Sequence, residues 1–177
     1  MLTLLLGGAR SGKSALALEL ASSGAAPVIF LATGEASDDE MAERIALHRS
    51  QRPAAWGTVE EPVELAKAFR DIADGTTLVV DCLTLWVANL LAAGYDDDAA
   101  LAAAGAVAAL CADRTGRVIV VSNEVGSGIV PTDNSLSRRY RDVLGQVNMV
   151  FAARAEDAFL VVAGRVLPLL PTKSTIQ

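Results

Sequence analysis

Short apolar runs alternate with stretches of helical periodicity along the 177 residues of the chain. Residues 2–6, 28–32, 77–81 and 118–122 are compact runs rich in Leu, Ile and Val, and each predicts a buried strand. Residues 13–23, 38–51, 63–73, 83–93, 99–112 and 135–155 predict helices, the last interrupted near Gly145. Gly24 is a stop for the first helix. Ser37, with Glu40 three residues on, has the form of a capping box opening the second, and Pro53 lies just beyond its end. Residues 159–162 and 166–170 flank Gly164 and predict a C-terminal hairpin. Alternation of strand and helix predicts an α/β fold, a mostly parallel sheet covered by helices. With no repeat, low-complexity linker or composition break, residues 1–177 are expected to form a single domain.

Composition narrows this picture. Apolar residues make up 52% of the chain and the mean hydropathy is +0.38, which excludes a disordered chain. Much of the apolar fraction is alanine, which favours helices. No apolar run reaches the roughly 20 residues of a membrane-spanning helix. Residues 2–6 are too short, and lack the basic flank, to read as a signal peptide. A net charge of −6 argues against a general nucleic-acid binder. Cys82 and Cys111 have neither paired spacing nor a histidine cluster, so they are expected to be buried thiols in a reducing, cytoplasmic protein.

The chemistry begins where the first strand ends. Gly7-Gly8-Ala9-Arg10-Ser11-Gly12-Lys13-Ser14 fits the phosphate-binding loop pattern, with a strand before it and a helix after it. Glycines let backbone N–H groups turn around phosphate oxygens, and the helix N-terminus faces the anion. Lys13 is expected on the β- and γ-phosphates and Ser14 on Mg2+. Asp81, at the end of the apolar run 78–80, is the candidate acidic partner for Mg2+. A helix-capping role is the plainer alternative for that aspartate.

His48 is the only histidine. It shares a helical face with Met41, Ile45 and Arg52, which fits a half-buried packing residue. It also fits a nucleophile, since neutral imidazole can attack phosphorus and Arg44, Arg49 and Arg52 could steady a phosphate. Asn123 and Glu124 follow a strand, and ligands bind at such strand ends in open α/β sheets; the alternative is a plain glycine-rich loop. Arg138, Arg139 and Arg141 crowd the start of a helix, where either a bound anion or salt bridges to Asp133 or Asp142 would offset the unfavourable charge.

Together these motifs resemble the bifunctional adenosylcobinamide kinase / adenosylcobinamide-phosphate guanylyltransferase family. The resemblance runs from the P-loop through Asp38-Asp39-Glu40-Met41, Arg44-Ile45 and His48, then Arg52-Pro53 with Trp56, and Thr58-Val59-Glu60. It continues through Asp81-Cys82-Leu83-Thr84, Asn89-Leu90-Leu91, Asn123-Glu124-Val125-Gly126 and Gly128-Ile129-Val130-Pro131 to Arg141-Asp142, Gly145 and Val147-Asn148. It implies a RecA-like P-loop fold, GTP, ATP and Mg2+ as cofactors, and adenosylcobinamide and adenosylcobinamide-phosphate as substrates. It also implies a homotrimer. By the same resemblance His48 carries GMP during nucleotidyl transfer, and Arg49, Ser50, Gln51, Arg52, Glu60 and Asp81 contact the guanine nucleotide. Thr33, Gly34 and Glu35 correspond to a further nucleotide-contacting loop. A kinase alone, with His48 structural, and a non-enzymatic nucleotide switch are the competing expectations.

Overall fold

The structure is a computed structural model describing residues 1–36, 38–50, 52–132 and 134–171, with the Arg44 side chain also outside the description. Among the described residues, seven strands form one sheet: β1 (Leu2–Leu6), β2 (Val28–Ala32), β3 (Gly57–Glu60), β4 (Thr77–Asp81), β5 (Val118–Val121), β6 (Asp157–Val162) and β7 (Arg165–Pro168). Their order is β3-β2-β4-β5-β1-β6-β7, and every pairing is parallel except β6 with β7. The helices are α1 (Lys13–Ser22), α2 (Asp39–Ser50), α3 (Leu65–Asp71), α4 (Leu83–Ala92), α5 (Asp97–Asp113) and α6 (Ser135–Ala152).

The continuous apolar runs are explained by burial on both faces of the sheet. Leu2, Leu4, Leu78, Val80, Val118 and Val120 point to one side, where they meet α3, α4, α5 and α6. Leu5, Phe30, Val79, Ile119 and Val121 point to the other, against Ala17 and Ala21 of α1. Trp86 is the largest fully buried side chain, and its indole N–H donates to the Val63 carbonyl at 2.8 Å. Small residues Ala100, Ala104 and Ala108 let α5 lie close to this core.

Several element boundaries differ from the sequence expectation, each for a local reason. Strand β3 was not anticipated: it has one partly buried position, Val59, and pairs only with β2 at the sheet edge. Helix α5 starts earlier because Asp96 caps it, accepting from the Ala99 N–H at 2.8 Å. The proposed box at Ser37 lies outside the described residues; Asp38 accepts from the Met41 N–H at 2.8 Å at that end of α2. Helix α6 runs unbroken through Gly145, held by the buried stripe Val143, Leu144, Val147 and Phe151. It ends at Ala152, short of the expected 155. No helix among the described residues is long and apolar enough to cross a membrane.

Candidate functional site

The parallel strands β1, β4 and β5 end side by side, with Asp81 in register with Val121 and Val121 with Leu5. Everything after those positions emerges at one edge, and a cleft of about 590 Å3 opens there. Residues 9–14 of the glycine-rich loop line it, with Phe30, Ala32, Gly34, Met41, Ile45, His48, Arg49, Arg52, Glu60, Asp81, Cys82, Thr84, Leu85, Val121 and Asn123.

The loop owes its shape to its glycines and to the C-terminal hairpin. Gly7 has φ +152°, and a Cβ there would lie 2.2 Å from the Val161 carbonyl oxygen. Gly12, at φ +104°, is the residue before α1 and sits against Gly164. The Gly164 N–H donates to the Ser11 carbonyl at 2.8 Å, and the Glu124 N–H donates to the Gly7 carbonyl at 3.2 Å. The turn of the β6–β7 hairpin and the end of β5 therefore hold the loop from two sides.

Lys13 is buried, and its ammonium donates to the carbonyls of Gly7 at 2.9 Å and Gly8 at 2.7 Å. Burial lowers its pKa, opposed by the nearby Asp81 and Cys82. The Ser14 hydroxyl donates to Asp81 Oδ2 at 2.9 Å, so the two oxygens proposed for Mg2+ are adjacent. Burial raises the Asp81 carboxyl above its ordinary value, against the Ser14 hydrogen bond and the charges of His48, Arg52 and Lys13. Both cysteines are buried and free of disulfides; Cys82, beside Asp81, is pushed up to about 11 chiefly by burial, which keeps it a thiol rather than a nucleophile.

The face of α2 read from the sequence is the face that lines the cleft. Met41 and Ile45 are half-buried, whereas His48 is exposed, so the histidine is not a packing residue. Arg52 stacks on the Phe30 ring, 3.5 Å from its centroid, and its pKa is lowered first by burial. Arg52 Nε is buried without a hydrogen-bond partner among the described residues. Arg49 and Glu60, both expected at the nucleotide, pair with each other at 2.8 Å across the cleft wall.

Other candidates sit differently. Gly34 lines the cleft, but Glu35 and Ser50 are exposed and not on its wall, and Gln51 lies outside the described residues. Thr33 is fully buried; its hydroxyl donates to the Cys82 carbonyl at 2.7 Å and accepts from the Cys82 N–H at 2.8 Å. It braces the chain just after Asp81. Glu124 turns its carboxylate onto its own loop, accepting from Gly126 N–H, Ser127 N–H and the Ser127 hydroxyl, the last of which chiefly lowers its pKa. Arg139 pairs with Asp97 of α5 at 2.6 Å and Arg138 donates to the Pro131 carbonyl at 2.7 Å. Arg141 lies 3.6 Å from Asp142, while Asp133 is outside the described residues. Cys82 and Thr84 also line the cleft without a role expected from the sequence; their place within three positions of Asp81 is the available signal.

The profile of the family described as cobinamide kinase / cobinamide phosphate guanyltransferase matches residues 3–169. The chain belongs to that family. Among curated relatives, the bifunctional adenosylcobalamin biosynthesis protein CobP of Pseudomonas aeruginosa is 47% identical over 171 residues, covering 96% of this chain and 97% of that protein. The bifunctional adenosylcobalamin biosynthesis proteins CobU of Salmonella typhimurium and Escherichia coli are 42% and 40% identical, each over 93% of this chain and 97% of the relative. A prototypical ATPase of the type III secretion system of pathogenic bacteria superposes with a TM-score of 0.56 at 13% identity. That match covers 97% of this chain and 59% of the ATPase chain, and is a likeness of fold.

Proposed function

We propose that this protein phosphorylates adenosylcobinamide and then transfers GMP from GTP to adenosylcobinamide-phosphate through a GMP adduct on His48. The observation that carries the reading is that Lys13, Ser14, Asp81 and His48 line one cleft in a chain of this family. In the first reaction a hydroxyl of the corrinoid side arm bonds to the γ-phosphorus of the triphosphate as the bond to the diphosphate breaks. Lys13 neutralises charge on the phosphates, and positioning supplies most of the catalysis. Ser14 and Asp81 are hard oxygen donors suited to Mg2+, which needs few protein ligands and takes the rest from phosphates and water. Bound there, the ion supplies further charge neutralisation at the β- and γ-phosphates.

In the second reaction a ring nitrogen of His48 bonds to the α-phosphorus of GTP and pyrophosphate leaves. The phosphate of adenosylcobinamide-phosphate then bonds to that phosphorus, the P–N bond breaks, and adenosylcobinamide-GDP forms. Each displacement has a good leaving group. The exposure of His48 on the cleft wall supports this role, and Arg49 and Arg52 supply nearby positive charge. We place the enzyme in the cytoplasm, on its two unpaired cysteines, and as a homotrimer, on the resemblance set out above; light scattering of the purified protein tests the assembly.

The deciding experiment is mass spectrometry after incubation with GTP and magnesium. The wild type is expected to gain one GMP on His48, and His48→Ala is expected to gain none. A GMP adduct on the alanine variant, or none on the wild type, refutes the nucleophile assignment.

A further inference from the structure

Strand β5 lies between β4, which ends in Asp81, and β1, which runs into the glycine-rich loop. Residues that leave β5 therefore emerge between the Asp81 carboxylate and the glycine-rich loop. Ser122 comes first, but it is fully buried and its hydroxyl is spent on Asn148 Oδ1 at 2.6 Å. Asn123 comes next and lines the cleft.

The backbone of Asn123 is fixed on both sides. Its N–H donates to the Thr84 hydroxyl of α4 at 2.9 Å, and its carbonyl accepts from Asn148 Nδ2 of α6 at 3.0 Å. The next residue, Glu124, donates its N–H to Gly7 of the loop at 3.2 Å. The Glu124 carboxylate is occupied by its own turn. The side-chain amide of Asn123, by contrast, has no hydrogen-bond partner among the described residues. A neutral amide held by rigid elements between Lys13 and Asp81 is suited to donate to a phosphoryl oxygen without adding charge.

Resting on the reading that the cleft holds a triphosphate, we propose that Asn123 is a catalytic residue of the kinase step, its amide hydrogen-bonding the γ-phosphoryl group as it transfers. The contact matters for the kinase because the γ-phosphoryl oxygens are where charge shifts. In guanylyl transfer the reacting phosphorus is the α one, and the same contact only helps to hold GTP. Asn123 thereby separates two reactions that share a cleft.

The test compares the full-length wild type with Asn123→Ala and the near-isosteric Asn123→Asp. Two rates are read: phosphorylation of adenosylcobinamide, and transfer of labelled GMP to His48. Loss of one preorganised donor is expected to lower kinase kcat about 10²–10³-fold, with KM for the triphosphate changed about threefold or less. GMP transfer is expected to fall about tenfold at most, through GTP affinity. The aspartate is expected to lose at least as much kinase activity, since it replaces donors with a negative charge; it also carries the test if the alanine variant does not fold. Kinase kcat within about threefold of wild type in either variant overturns the proposal, as does an equal loss in both reactions. A wild-type protein that transfers GMP but never phosphorylates the corrinoid overturns the kinase reading itself.

Discussion

Replacing Gly7 by alanine should damage the fold as well as the site, whereas the same change at Gly8 should not. Gly7 stands at φ +152°, a conformation that L residues rarely adopt, at a strain of about 1–3 kcal/mol. The added methyl would also lie 2.2 Å from the Val161 carbonyl oxygen and 3.0 Å from the Ser11 hydroxyl. Both neighbours belong to packed segments, so relief requires backbone movement, a further cost of about 1–3 kcal/mol. The sum, about 2–6 kcal/mol, corresponds to a fall in Tm of about 4–24 °C for a chain of this size. Gly8 has open space at its Cβ position and no positive φ, so Gly8→Ala should stay within about 0.5 kcal/mol of wild type. Thermal unfolding of both nucleotide-free variants, followed by circular dichroism, measures the contrast. If Gly7→Ala melts within about 2 °C of Gly8→Ala, the close approach of β6 to the loop is not what demands glycine.

Two further changes test the electrostatics and the helices. Because burial raises the Asp81 pKa, its charge destabilises the fold above that pKa, and the cost is relieved as pH falls through it. Asp81→Asn should therefore be more stable than wild type at neutral pH without nucleotide, with the gap closing toward about pH 4, as denaturant titrations would measure. The same variant should lose about 10–100-fold in kinase kcat/KM through the lost charged contact, read in a steady-state assay. Gly145→Ala should stabilise the protein by about 0.5–1 kcal/mol, because the position is helical, exposed and open at Cβ; an unchanged or lower Tm would refute this.

The sheet was legible in the sequence wherever a strand is buried on both faces. Residues 2–6, 28–32 and 77–81 are built around runs of Leu, Ile, Val and Phe, and each is a strand with those bounds. Gly57–Glu60 carried no such mark, because an edge strand with a single half-buried side chain has no need of one. The break expected at Gly145 failed for the converse reason: tertiary burial of Val143, Leu144 and Val147 outweighs a weak local propensity. At the site, the P-loop, Asp81 and His48 were legible because their chemistry is written in residue type and local spacing. Pairings between distant segments were not. Thr33 binds the Cys82 backbone across 49 positions, and Arg139 finds Asp97 rather than a neighbour on its own helix. Periodicity within one element cannot reveal which polar groups another element will satisfy.

The position of β1 bears on how the protein is made. It is the first strand from the N-terminus, yet its sheet neighbours are β5 and β6, so Leu4 pairs with Val120 on one side and Ala158 on the other. The loop that follows β1 is clasped by Gly164. A growing chain thus presents the phosphate-binding motif to the ribosome exit long before anything exists to shape it. The shape of the loop is therefore expected to be completed only with the last strands, and each of its long-range contacts adds loop-closure entropy to be overcome late in folding. A chain that stops before β6 is accordingly expected to carry the motif without the contacts that shape it.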